Sequence, residues 1–219
     1  MALDRAQVIK TAIVLLDEVG LDGLSLRRLA KELGVQAPAL YWHFKNKEKL
    51  LEQMAATISA VEAPPRPLAE GEPWDQWLAE RALTLRRGMN RHRDGAMLAA
   101  STHPQESQWG DIEMQIEILM SAPMTAPQAM RAMITIGNYV AGFTLEEQAD
   151  RMRGAHDYTP EDFEEMLTTM LAPYPRLVEA LRVGGDPQSD SAFEAGVALI
   201  ISGVKQQVSA PPPPPPTTS

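Results

Sequence analysis

The sequence contains no cysteine, so disulfides and thiolate chemistry are excluded, and a cytoplasmic location is the expectation. No run approaches the ~18–20 consecutive apolar residues that a bilayer span requires, so no membrane partner is expected. The opening stretch, MALDRAQVIK, carries an acid and no apolar segment, which does not fit a secretory signal. Histidines are few: His43, His92, His103 and His156 form no HxxxH or HxH pair, so no metal site is expected. A P-loop, a Gly-x-Ser-x-Gly elbow and a dinucleotide fingerprint are all missing. The acidic pairs Glu146–Glu147 and Glu164–Glu165 are adjacent and splay apart on a helix. An enzyme is therefore not expected, nor any cofactor. No alternating β-branched run marks a strand, and no internal repeat recurs at a fixed period.

Aromatic residues are also scarce, at 5% of the chain, which makes Tyr41–Trp42–His43–Phe44 a concentration. Successive residues of a helix lie about 100° apart around its axis, so these side chains cannot share one buried face. Charge is uneven as well. The net charge of −9 argues against nucleic acid, but residues 1–50 hold 8 Lys/Arg against 6 Asp/Glu, leaving 12 against 23 for the remainder. A slightly basic head precedes an acidic body, and only the head suits phosphates.

The periodicity is helical throughout, and the fold class expected is all-α. Val8, Ala12, Leu15 and Leu16 form one stripe over 5–18, which Gly20 and Gly23 interrupt. Ser25 is placed to cap a second helix through about Gly34. A short third helix follows over 36–43, with Pro38 in its first turn, where a missing N–H is harmless. Asn46 caps a fourth that runs to about Val61. The stretch APPRPLAEGEP (63–73) reads as a linker or elbow. Further helices are expected at 74–91, 94–100, 106–121, 126–149, 161–182 and 189–208, and SAPPPPPPTTS as a disordered or polyproline tail.

Two helices joined by a tight glycine turn, the second short and rich in rings, form the pattern of a helix-turn-helix, although periodicity alone also suits a plain three-helix bundle. Leu40 and Phe44, four apart, should anchor the second helix in the core. Gln36, Ala37, Pro38 and Ala39 then fall on its exposed N-terminal part, small enough to seat in a major groove, with Tyr41 and Trp42 turned outward and Tyr41, His43 and Lys47 available to phosphates.

At this point GLDGLSLRRLAKELGVQAPALYWHFKNKEKLL resembles the N-terminal domain of the TetR family of bacterial transcriptional regulators, and ALYWHFKNKEKLL closely matches its signature. RHRDGAMLAASTHP, IEMQIEILMSAP and NYVAGFTLEEQ resemble the family's tetracycline-repressor-like branch. The resemblance implies a DNA-binding helix-turn-helix domain over 1–46, a connecting helix over 47–62, a ligand-binding and dimerisation domain over 63–208 and the tail over 209–219. It implies a homodimer on a double-stranded, palindromic operator, released by a small organic, antibiotic-like effector other than magnesium-tetracycline; an activator or a ligand-free regulator of the same fold is the alternative.

Residue by residue, Arg27 matches an arginine that reads guanine and Pro38 a proline that packs on base methyls, while Ser25, Tyr41, His43 and Lys47 match or neighbour backbone contacts. Ala37 and Ala39 stand where the branch has a base-reading glutamine and a threonine, so a different operator is expected. In the body, Thr102, Gln115 and Glu146 match effector-site positions. The branch's metal-binding histidine is replaced by Ala99, and drug-gripping residues by Ala63, Arg81 and Leu85. The expected site is independent of magnesium and takes an apolar or anionic organic ligand; it is walled by Leu85, Met89, Ile112, Met130, Met133 and Gly137, with Trp109 at an entrance and Arg81 as the candidate partner of a carboxylate or enolate. Phe193, Val197, Ile200, Ile201, Val204 and Val208, with Gly137 and Ala141, are expected to form the dimer helices.

Overall fold

The computed structural model describes residues 4–122, 124–153 and 159–209; His156 and the proline-rich end beyond Ser209 lie outside them. The described residues are helical, without strands. Four helices build the head: α1 (Arg5–Gly23), α2 (Leu26–Glu32), α3 (Ala37–Tyr41) and α4 (Lys47–Glu62). Capping follows the chemistry of the sequence. Asp4 accepts from the Ala6 N–H, Ser25 from that of Arg28 and Asn46 from that of Lys49, each meeting one unpaired amide at a helix start. The turn between α2 and α3 passes through Gly34 at φ 67°, a conformation that side chains disfavour. α1 runs past its expected end near residue 18, but Gly20 interrupts it at φ 71°, ψ 177°.

The body comprises α5 (Trp74–Asn90), α6 (Gly95–Ala100), a 3-10 turn (Glu106–Gln108), α7 (Trp109–Met120), α8 (Ala126–Arg153), α9 (Pro160–Thr168), α10 (Pro175–Gly184) and α11 (Asp190–Ser209). Two expectations need correction. The single helix expected over 161–182 is two, because the chain leaves the helix after Thr168 and Pro175, which has no N–H to give, opens the next. The stripe expected to dimerise also divides. Phe193, Val197 and Ile201, four apart, are buried in the subunit's own body core, whereas Ile200, Val204 and Val208 are only partly buried and Leu199, on the opposite face, is 75% exposed.

Two apolar cores result. The head core gathers Val8, Ala12, Leu16, Leu29, Leu40, Phe44, Leu50 and Met54, and it takes in Leu98 from α6. The body core gathers Trp77, Leu78, Ala82, Leu119, Ile136, Val140 and Phe193. The joint between head and body thus includes a helix, α4, and one leucine of α6.

Candidate functional site

The head presents α3 as the geometry of consecutive helix positions requires. Leu40 is 0% and Phe44 1% exposed, whereas Tyr41 is 57% and Trp42 90% exposed. Arg27, Gln36 and Pro38 are exposed and Ala37, Ala39 and His43 half-buried. Exposed Arg27, Arg28, Tyr41, Trp42 and Lys45 place cations and rings beside a short, shallow helix, a surface suited to a polyanion. Two residues expected at phosphates already have intramolecular work. Ser25 caps α2, and Lys47 Nζ donates to the Leu21 carbonyl at 2.8 Å, fastening α4 to the end of α1.

In the body, Ala63, Leu85, Met89, Ala99 and Thr102 come together around a cavity of about 200 Å³. Its remaining walls are Ala55, Ile58 and Ser59 of α4, Gly88 of α5, Gly95 and Leu98 of α6, and His103, Pro104 and Gln108 beyond it. The lining is mostly apolar, with a few polar groups, the usual character of a site for an organic molecule. Thr102 Oγ1 donates to the Leu98 carbonyl at 3.0 Å.

Other residues expected at this site do not line the cavity. Trp109 (62% exposed) and Met130 (38%) face outward. Glu146 is exposed and accepts from Gln188 Nε2 at 2.8 Å. Met133 packs against the body core, and Ile112 and Gly137 are half-buried elsewhere. Arg81 and Gln115 bind each other: Arg81 Nε donates to Gln115 Oε1 at 3.2 Å, while Arg81 Nη1 donates to the Ala63 carbonyl at 2.6 Å. Gln115 Nε2 donates in turn to the Asp111 carbonyl. Burial pushes the Arg81 guanidinium down to about 10, and the nearby charge of Asp111 only partly opposes this.

Motif reading missed the clamp between head and body. Residues 92–94, just before α6, grip the end of α1: Asp94 Oδ2 accepts from the Leu21 N–H at 2.8 Å and Asp17 Oδ1 from that of Arg93 at 3.1 Å. Asp17 also meets His92 Nδ1 at 3.0 Å, and Arg93 Nη1 donates to the Glu18 carbonyl at 3.0 Å. The Gly20 kink makes room, since a Cβ there would stand 2.6 Å from Asp94 Oδ2. Asp94→Ala is expected to cost about 1–3 kcal/mol, because it leaves the Leu21 N–H without an acceptor, measured as a lower urea midpoint.

The chain matches the family model described as "Bacterial regulatory proteins, tetR family" over residues 8–54 and that described as "Tetracyclin repressor-like, C-terminal domain" over 66–208. It is 39% identical to the tetracycline repressor protein class C of Escherichia coli over 208 residues, 93% of this chain and 91% of that protein. Among solved structures it resembles TetR from Acinetobacter baumannii AYE (TM-score 0.71, 34% identity, 95% of this chain and 100% of that one). It also resembles TetR class A in complex with 5a,6-anhydrotetracycline and magnesium (TM-score 0.70, 30% identity, covering 93% and 99%). With an outward-facing α3 in the head, a lined cavity beside the head core and both family models matched in order, the chain belongs to the TetR family of ligand-responsive transcriptional regulators.

Proposed function

We propose that the protein is a homodimeric, cytoplasmic repressor that holds a palindromic operator through residues 1–46 of each subunit and leaves it when a small organic effector fills the cavity in residues 63–208. The observation that carries this reading is the double position of Leu98. It lines the cavity and is also buried, at 1% exposure, in the core of the head. An effector that displaces α6 therefore disturbs head packing directly. Ala55, Ile58 and Ser59 on the opposite wall belong to α4, whose Leu50 and Met54 lie in the same head core. Two heads on one duplex must keep a separation of about one helical turn, so a small swing of α4 breaks the match. A preference of the effector for the swung state by about 3 kcal/mol gives a loss of operator affinity of about a hundredfold.

The dimer face is read from α8 and α11. Ile134 is 54% and Leu199 75% exposed, and a Cβ added at Gly137 or Gly203 would meet nothing, so another helix can approach closely. No described helix is long and apolar enough to cross a membrane. Magnesium does not fit the cavity. Its lining holds no carboxylate, Ala99 offers no donor atom, and Glu146 is exposed and engaged by Gln188. A hard cation that keeps its waters needs anionic oxygens, and none of the described residues that line the cavity supplies one.

Electrophoresis of the full chain on palindromic fragments from its own upstream region tests the reading. A dimer should shift one of them, and Ala99→Trp, which fills the cavity, should still bind that DNA but resist any molecule that releases the parent. A chain that stays monomeric and ignores every palindrome sinks the proposal. Calorimetry with tetracycline, with and without magnesium, should show no tight binding that depends on the metal; the opposite result removes the metal-independent reading.

A further inference from the structure

We infer that the effector is an organic anion and that Arg81 is its counter-charge. This rests on the cavity being the effector site. Arg81 is a half-buried arginine that makes no close ion pair among the described residues, the charge of Asp111 acting on it only from a distance. Arg86 is buried against Glu147 and Asp190, Arg91 pairs with Glu62, and Arg66 with Glu72 and Glu80. The Arg81 guanidinium meets only neutral acceptors, the Ala63 carbonyl and the Gln115 amide oxygen, and makes no ion pair among the described residues. Its third nitrogen, Nη2, has no hydrogen bond but is not sealed from solvent. A desolvated cation held rigidly by two of its nitrogens, with the third presented, is preorganised for a carboxylate, sulfonate or enolate.

The position relative to the cavity suits this role. Leu85, one turn along α5, lines the cavity, as does Ala63, whose carbonyl Arg81 holds. At about 200 Å³ the lined space is smaller than the ~300–1,000 Å³ of ordinary ligand sites, so an effector of that size extends beyond it. Arg81 does not itself line the cavity but holds the carbonyl of Ala63, which does, so an effector that extends past Ala63 would come within reach of the guanidinium. Ala63 is also the C-cap residue of α4. The group that receives the anion is therefore the one that holds the last turn of α4, whose first turns are packed in the head.

A matched pair of dyes tests this: anilinonaphthalene sulfonate, and phenylnaphthylamine, the same skeleton without the sulfonate. The intact protein should bind the sulfonate about tenfold tighter, the worth of one charge-assisted contact. R81Q keeps a donor for the Ala63 carbonyl and should bind both dyes alike. D111N leaves Arg81 in place, removes the opposing charge, and should strengthen sulfonate binding alone, which keeps the test open if R81Q unfolds. A preference that survives R81Q, or is weakened by D111N, overturns the inference. Should that occur while Ala99→Trp still abolishes both dyes, the cavity reading stands. If Ala99→Trp leaves both dyes bound, the cavity reading falls and the inference with it.

Discussion

Arg86→Ala is expected to lower the stability of the folded chain by about 3 kcal/mol and its thermal midpoint by about 10 °C. Arg86 joins three helices through one buried guanidinium. Nε and Nη2 donate to both oxygens of Glu147 at 2.9 and 2.7 Å, and Nη1 pairs with Asp190 at 2.8 Å. The rings of Phe143 and Phe193 cover it at 5.1 and 4.6 Å from their centres. Removing the cation strands the Glu147 carboxylate, which is 9% exposed and keeps only Asn90 at 2.9 Å and Arg151 at 3.8 Å. Stranding a buried charge costs far more than the pair contributes, so Arg86→Met with Glu147→Leu should recover most of the loss. A double-mutant cycle in urea separates the two; a double variant no better than Arg86→Ala would show that the pair itself, and not the stranded charge, carries the energy.

The same pair sets a pH dependence. Burial is the largest single influence on Glu147 and raises it, but hydrogen bonds from Arg86 and Asn90 and the charges of Arg86 and Arg151 together outweigh burial and hold the carboxyl below its usual 4.5. A carboxyl depressed in the folded state binds fewer protons there than in the unfolded chain. Its contribution is therefore complete above about 4.5 and is lost as the pH falls through the lower folded value.

How much of this was legible from residues alone differs by element. The orientation of α3 was, because the helical rotation separates Leu40 and Phe44 from Tyr41 and Trp42 whatever the helix packs on. Five of the fourteen residues that line the cavity were also readable. Ala63, Leu85, Met89, Ala99 and Thr102 meet as the resemblance implies, whereas Ala55, Ile58 and Ser59 went unassigned as lining because a wall shared with the core shows the same period as the core. Arg86 and Glu147 are 61 positions apart, and no local pattern announces a pair made by tertiary packing. No local pattern marks Asp94 or Asp17 either, because their partners are amides 73 and 76 positions away. Pro175, inside the single helix expected over 161–182, is the residue that opens the second of the two helices there.

Leu40→Ala and Arg27→Ala should both abolish or weaken operator binding, and by opposite routes. Leu40 is fully buried and is, with Phe44, what holds α3 on α1 and α2. Truncating it removes apolar contacts and leaves a void, at about 2–5 kcal/mol, so the head should melt early and lose every DNA sequence together. Arg27 is exposed, and its loss should alter stability by no more than about 0.5 kcal/mol. The resemblance assigns its guanidinium to a base edge, a contact that would be worth about 1–3 kcal/mol for the right base pair and little for others. Gel shifts of both variants on the operator and on a substituted half-site, beside urea melts, resolve the routes. An Arg27→Ala variant that weakens all fragments equally would make this residue a phosphate contact, and base reading by the head would then fall to α3 alone, where alanines at 37 and 39 offer only methyl contacts.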